Sequence, residues 1–289
     1  MHAKTRPMNR ILQVIPLAAI ALAPLSATRA LPPQHDASNS AAVASEQSPT
    51  PVEHIFDLPL SNGGHQRVLY STPPSPKAII VMLPGGAGDV GIERDRDLRH
   101  DNNFVVRTRE LWLSRGYGVL IPDAVDGANL RGMRSSPAFA AQVGDLVRFA
   151  HTKSAAPVFL LGTSQGSIAA MNGAAHLDAT QLAGVVLTES VSRMGGSHET
   201  VFQADPQDVR VPALVVANHD DRCNVAPPED APRIAAAMSH SPQVHVLYVS
   251  GGVEQSRNPC GSLTPHGYEG IEQQVVDGIA SWMGSVGAR

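Results

Sequence analysis

Aromatic residues make up only 4% of this 289-residue chain, and cysteine occurs twice, as Cys223 and Cys260. So few aromatic rings leave little from which to build a sugar-stacking surface. The two cysteines form no Cys-x-x-Cys pair, and no histidine cluster stands at ligand spacing, which argues against a structural metal site. Basic residues never gather into a run or stripe, and the formal charge is −4 with a pI near 6.3, which argues against nucleic acid as a partner. The chain also lacks the Gly-Lys-Ser/Thr ending that a phosphate-cradling P-loop needs. After the N-terminal region no apolar run is long enough to span a bilayer.

What is present begins with a leader-like segment. His2, Lys4, Arg6 and Arg10 precede an apolar run from Ile11 to Leu25, and small residues follow at Ser26–Ala30. A positive stretch, a short apolar core and small residues describe a secretory signal peptide over 1–30, with cleavage after Ala27 or Ala30. The run is short for an uncleaved anchor, so no stable membrane insertion is expected after cleavage, and the mature protein is expected in the periplasm or outside the cell. Residues 31–51 are rich in Pro, Ala, Ser and Gln, with too little apolar surface to order themselves, and read as a disordered linker. One domain is expected over 52–289, since no second linker-like stretch interrupts it and 43% hydrophobic residues can supply its core.

Two alternating runs, His54–Leu60 and Arg67–Tyr70, flank the turn signal Ser61-Asn62-Gly63-Gly64 and read as an antiparallel hairpin. Continuous apolar runs follow at Ala78–Leu83, Gly118–Ile121, Val158–Leu161, Gly184–Thr188, Ala213–Ala217 and Val244–Val249. Helical spacing separates several of them: Phe104, Val105, Thr108, Leu111 and Trp112; then Phe139, Val143, Leu146, Val147 and Ala150; and finally Ile271, Val275, Val276, Ile279 and Trp282. Strands alternating with helices predict an α/β fold, a mostly parallel central sheet with helices on both faces.

The stretch Val158-Phe159-Leu160-Leu161-Gly162-Thr163-Ser164-Gln165-Gly166 is the most informative. It is a G-x-S-x-G pattern leaving a strand and entering a helix, the context of a nucleophile elbow. Glycines on either side relieve a turn so tight that side chains there would collide, and Ser164 stands exposed at the strand end. A serine hydroxyl needs a base to take its proton and a third group to orient that base. The elbow arrangement expects those groups in the order acid, then histidine, in loops at the strand C-terminal ends. His245 lies inside a strand and His240 at the opposite end of the sheet, so His266, in the loop after the last strand, is the candidate base. For the acid, Asp221 is preferred over Asp220, because a loop turn should separate it from the strand end. Glu189 is an outside candidate, read otherwise as a helix-capping or solvated carboxylate. An oxyanion hole needs two backbone donors, here expected from Gln165 and from Gly86 or Ala87 in the glycine turn after the first central strand.

These motifs resemble those of α/β-hydrolases, and in particular of exported bacterial hydrolases loosely grouped with dienelactone-hydrolase-like proteins. The resemblance rests on Leu-Pro-Gly-Gly, Asn-Asn-Phe-Val-Val-Arg, Gly-Thr-Ser-Gln-Gly-Ser, His-Asp-Asp-Arg-Cys and Pro-His-Gly-Tyr-Glu-Gly-Ile-Glu, in that order. It implies a Ser164–Asp221–His266 triad with no metal and no organic cofactor. Pro84 stands where a histidine commonly precedes the oxyanion glycines. A serine also replaces the cysteine of dienelactone hydrolases proper, so that substrate does not carry over. The segment Glu189–Val211 is short and polar, so no large lid is expected, and small or medium acyl substrates are favoured. The Asp- and Arg-rich loop Gly85–Asn103 is the candidate cover, although such charges commonly form a solvated face.

The expected activity is hydrolysis of a small-molecule, ester-like substrate. Acyl transfer or peptide cleavage would use the same residues, and a non-catalytic binding protein is the alternative from another class. In an oxidising compartment Cys223 and Cys260 are expected to pair, since one sits beside the acid and the other in the histidine loop, which the triad brings together.

Overall fold

The hairpin forms where the glycine turn predicts it. Strands β1 (His54–Pro59) and β2 (His65–Ser71) pair antiparallel. The turn closes with the Leu60 N–H donating to Gly64 O at 2.8 Å, and Gly63 takes a φ of 87°, which only glycine adopts without strain. These coordinates belong to a computed structural model that describes residues 52–287, residue 96 excepted. The leader over 1–30 and the linker over 31–51 lie outside the described residues.

Six further strands follow: β3 (Ile79–Leu83), β4 (Gly118–Pro122), β5 (Val158–Thr163), β6 (Gly184–Thr188), β7 (Ala213–Asn218) and β8 (Val244–Val249). Together the eight make one sheet in the order β1-β2-β4-β3-β5-β6-β7-β8. β2 meets β4 antiparallel, and every pairing from β4 through β8 is parallel. The continuous apolar runs have the expected consequence, because β3, β4, β5, β6 and β7 are buried at every position.

Alternation along each strand divides the core in two. Ile79, Val81 and Leu83 face α3 (Pro137–Lys153), α4 (Gln165–His176) and α5 (Ala231–Ala237); Ile80 and Met82 face α1 (Phe104–Arg107), α2 (Arg109–Ser114) and α6 (Glu272–Gly287). α3 starts at a sharp sequence signal: Pro137 opens it, and the Ser136 hydroxyl accepts the Phe139 N–H at 3.2 Å. Between Phe104 and Trp112 the spacing predicts one helix, and the structure has two short ones. Thr108 interrupts them with φ −86° and ψ 1°, and its hydroxyl donates back to Phe104 O at 2.7 Å. Threonine competes in this way for a carbonyl of the preceding turn and bends or ends a helix there.

The segment between β6 and β7 forms two single 3₁₀ turns, Val201–Gln203 and Pro206–Asp208, and no helical insertion. Its Val191, Val201 and Val209 are buried in the core, while Met194 is 61% exposed. No helix among the described residues is long and apolar enough to cross a membrane.

Candidate active site

β5 delivers Ser164 to the C-terminal edge of the sheet, and α4 begins at the next residue. Ser164 has φ 53° and ψ −122°, a conformation that costs a non-glycine residue about 1–3 kcal/mol and persists only where the surroundings enforce it. The surroundings do so with backbone bonds: Ser164 N–H donates to Thr188 O at 2.9 Å, and Ser164 O accepts the Ser167 N–H at 2.9 Å. Both flanking glycines are sterically required. A Cβ on Gly162 would lie 2.1 Å from Gly166 O, and one on Gly166 would lie 2.0 Å from Leu83 O. Those neighbours are backbone and cannot step aside.

His266 reaches Ser164 from a single 3₁₀ turn, Pro265–Gly267, after β8. Its Nε2 is 2.9 Å from Ser164 Oγ, and its Nδ1 is 2.7 Å from Asp221 Oδ2. Thr264 caps the turn by accepting the His266 N–H at 3.2 Å. Asp221 is buried in the loop after β7, and its other oxygen accepts the Cys223 N–H at 2.7 Å. Asp220 points elsewhere: it is exposed and accepts the Gly251 N–H at 2.7 Å. His240 and His245 are exposed, and His245 contacts Gln243 rather than Ser164. Cys223 and Cys260 are bonded to each other, tying the acid loop to the histidine loop.

Three side chains that the sequence reading did not single out hold these loops. Arg107 ends α1 and donates to the Ser262 carbonyl at 3.2 Å, to the Gly267 carbonyl and to Glu272 at 3.0 Å, with Glu269 3.3 Å away. It thereby grips the chain on both sides of His266. Asn218, at the end of β7, donates to Gly251 O at 2.9 Å and Pro265 O at 3.0 Å. Asp123, just past β4, accepts the N–H groups of Val90, Gly91 and Ile92 at 2.8, 3.0 and 2.7 Å. It fixes the middle of the charged loop after β3. Arg107 stands in the Asn-Asn-Phe-Val-Val-Arg motif, which was the only sequence signal for it.

That loop lines a cavity of about 400 Å³ at Ser164, whose other walls include His266; the loop contributes Gly86, Asp89, Arg99, His100 and Asn103. Asp89, Arg99 and His100 of this loop therefore border the cavity, although Arg99 and His100 are exposed, as are Arg94 and Asp95. The glycine turn lies directly against the elbow: a Cβ on Gly85 would sit 2.9 Å from Thr163 O. Gly86 has φ 59°. Among the described residues the N–H groups of Gly86, Ala87 and Gln165 are not donated to any protein acceptor. The same stretch spells Gly86-x-Gly88-x-x-Gly91, the spacing of a dinucleotide-binding turn. No helix opens there, and the N–H groups at its end are taken by Asp123, so it presents no phosphate cradle.

Behind Asp221 lies Glu189. It is neither a helix cap nor solvated, as its sequence position suggested, but 1% exposed. Burial, and next the negative charge of Asp221, hold its carboxyl well above the usual carboxylate range. Burial likewise raises the phenol of Tyr268 well above its usual range. On the other side of the site, burial lowers the guanidinium of Arg134 to about 10, partly offset by the charge of Glu199. Glu189, Asp221 and His266 place ligand-type atoms within 4.8 Å of one another. Both ring nitrogens of His266 are already engaged, by Ser164 and Asp221, so the cluster is arranged for sharing protons rather than for binding a metal.

No protein-family model matches the chain, and no curated protein matches it in sequence. Solved structures do match in shape. A dienelactone hydrolase from Anabaena variabilis superposes with a TM-score of 0.55 at 14% identity, covering 81% of this chain and 96% of its own. Est1E from Butyrivibrio proteoclasticus, with ferulic acid bound, gives 0.58 at 12% identity, covering 82% and 100%. The chain has the α/β-hydrolase fold. A puromycin-hydrolysing peptidase from Mycobacterium tuberculosis shares this α/β-hydrolase fold at 13% identity and a TM-score of 0.58, covering 82% of this chain and 39% of its own.

Proposed function

We propose that this α/β-hydrolase is an exported serine hydrolase that cleaves small or medium carboxylic esters through an acyl-enzyme. The observation that carries the reading is the unbroken chain from Ser164 Oγ through His266 to Asp221, opening into the cavity. In this reading His266 Nε2 takes the Ser164 proton as Oγ adds to the ester carbonyl. The carbonyl π electrons move to oxygen, and the Gly86 and Gln165 N–H groups receive the oxyanion. As the tetrahedral species collapses, the C–O bond to the alcohol breaks and His266 returns the proton to the departing oxygen. Water, deprotonated by the same imidazole, then attacks the acyl-enzyme and restores Ser164. Asp221 keeps the Nδ1–H pointed away from Ser164 and stabilises the imidazolium as it forms.

The cavity and the absence of a helical lid among the described residues support the substrate size. No broad apolar cover awaits a long acyl chain, and Asp89, Arg99 and His100 give the entrance a polar character. Amide cleavage is the second reading, favoured by the likeness to a peptidase. Export is supported by the leader pattern and by the Cys223–Cys260 bond, which suits an oxidising compartment. A screen of short-acyl esters, amides and lactones on the mature protein, with Ser164→Ala as control, tests the activity. Turnover confined to esters and lost in the control supports the proposal. Turnover that survives Ser164→Ala refutes it.

A further inference from the structure

One buried acid beside the triad takes no part in the proposed reaction. Glu189 follows β6 with φ 43°, in the left-handed region. Its Oε1 accepts the Asn218 N–H at 2.8 Å. Its Oε2 is fully buried and unpartnered if both carboxyls are drawn as anions, and the Glu189 and Asp221 carboxyls are neighbours, with oxygens within 4.8 Å of each other. Two ionised carboxylates are acceptors only and cannot satisfy each other, whereas one proton between them can.

The surroundings decide which acid carries that proton. Asp221 already accepts from the Cys223 N–H and from His266 Nδ1, two donors that favour an anion. Glu189 accepts one backbone N–H, and the neighbouring Tyr268 hydroxyl, which would also favour a Glu189 anion, is given to Val216 O at 3.2 Å. The titratable groups facing it are Asp221 from the loop after β7, and His266 and Tyr268 from the turn after β8. No lysine or arginine is among them.

We propose that Glu189 is a positioning residue, a neutral acid whose Oε2–H donates to Asp221 and fixes that carboxylate against His266. The inference rests on reading Ser164, His266 and Asp221 as the reacting triad. With it, three donors converge on Asp221, which restrains the carboxylate from swivelling away from the imidazole. The buried pair also carries one negative charge instead of two. Ionising Glu189 at alkaline pH removes the donor and sets an anion beside Asp221.

Glu189→Gln is the discriminating variant, because its amide keeps an oxygen for Asn218 and offers an N–H in place of the O–H. It is expected to keep kcat/KM within about threefold of wild type and to lose the alkaline decline that Glu189 ionisation causes. Glu189→Leu, which has no donor, should lower kcat by about tenfold or more with KM unchanged, since Glu189 does not touch the cavity. Infrared spectroscopy needs no turnover: the wild type at neutral pH should show a protonated-carboxyl band that is missing from Glu189→Gln. Should the variant fail to fold, the wild-type band alone must still be present at neutral pH and titrate away on the alkaline side. Absence of that band, or a folded Glu189→Gln as inactive as Asp221→Asn, overturns the inference. Loss of the band with hydrolysis still dependent on Ser164 would discard this inference alone, whereas a band without any hydrolysis would discard the hydrolase reading alone.

Discussion

Removing the Cys223–Cys260 bond should cost both stability and register, by separable amounts. The two residues are 37 apart in sequence, and their Cα atoms are 4.6 Å apart. Chain entropy for a closed loop of that size gives about 3–4 kcal/mol at 25 °C, before any native-state relaxation. The local effect comes from what each cysteine adjoins. Cys223 N–H is a donor to Asp221. Cys260 is flanked by the Pro259 and Gly261 carbonyls, which accept the Thr264 hydroxyl at 3.2 and 2.8 Å, and that hydroxyl oxygen caps the His266 turn. The bond thus ends on a residue that itself donates to Asp221 on one side, and one residue from the carbonyls that hold Thr264 on the other. Cys223→Ala/Cys260→Ala, compared with the oxidised wild type by urea unfolding, should show a ΔΔG of about 3–4 kcal/mol. Hydrolysis should fall at urea concentrations where the far-ultraviolet circular dichroism is still native. A ΔΔG below about 1 kcal/mol would refute the loop-entropy reasoning. Activity that tracks unfolding point by point would refute the register argument, and two free thiols in the mature protein would remove its basis.

Four further outcomes are expected. Asp221→Asn should lose on the order of 10⁴ in kcat by disturbing the imidazole tautomer, while Asp220→Asn should leave kcat nearly unchanged; steady-state kinetics on the pair decides between them. Gly166→Ala drives a Cβ to 2.0 Å from Leu83 O and should destabilise by more than about 3 kcal/mol. Gly284→Ala, with nothing within 4 Å on an exposed face of α6, should instead stabilise by about 0.5–1 kcal/mol in the same thermal unfolding assay. Glu189 binds its proton more tightly folded than unfolded, because its carboxyl is raised above the usual 4.5. Its contribution is therefore whole below that pH and is lost as pH rises toward the folded value, by about 1.4 kcal/mol per pH unit within the window. Glu189→Gln removes this loss, so its stability relative to wild type, followed by denaturant titration, should grow with pH from the acid range upward. A difference independent of pH would contradict the burial argument.

How far the sequence carried depended on whether the deciding contacts were local. Val158–Gly166 spells strand, tight turn and helix within nine residues, and the steric need for Gly162 and Gly166 is a property of that turn. The buried strands were legible because a sheet covered on both faces demands unbroken apolar runs. His266 followed from topology alone, as the histidine in the loop after the last strand. Glu189 was misjudged because nothing nearby in sequence reveals burial; the groups around it come from β7 and from the turn after β8. Arg107 and Asp123 were missed for the same reason. The partners of Arg107 stand about 155–165 residues away and those of Asp123 about 31–33, and no local pattern encodes such a meeting. Thr108 shows the opposite failure, since helical spacing was present and one side-chain hydrogen bond broke the helix in two.

The central claim is that Ser164 is an activated nucleophile, and a serine-reactive phosphonate tests it without knowledge of the substrate. Incubation of the mature protein, followed by intact mass and peptide mapping, should show one adduct, on Ser164. Labelling should vanish in Ser164→Ala and slow by orders of magnitude in His266→Ala, with both variants still folded by circular dichroism. A folded wild-type protein that takes no label, or takes it at another residue, would contradict the account.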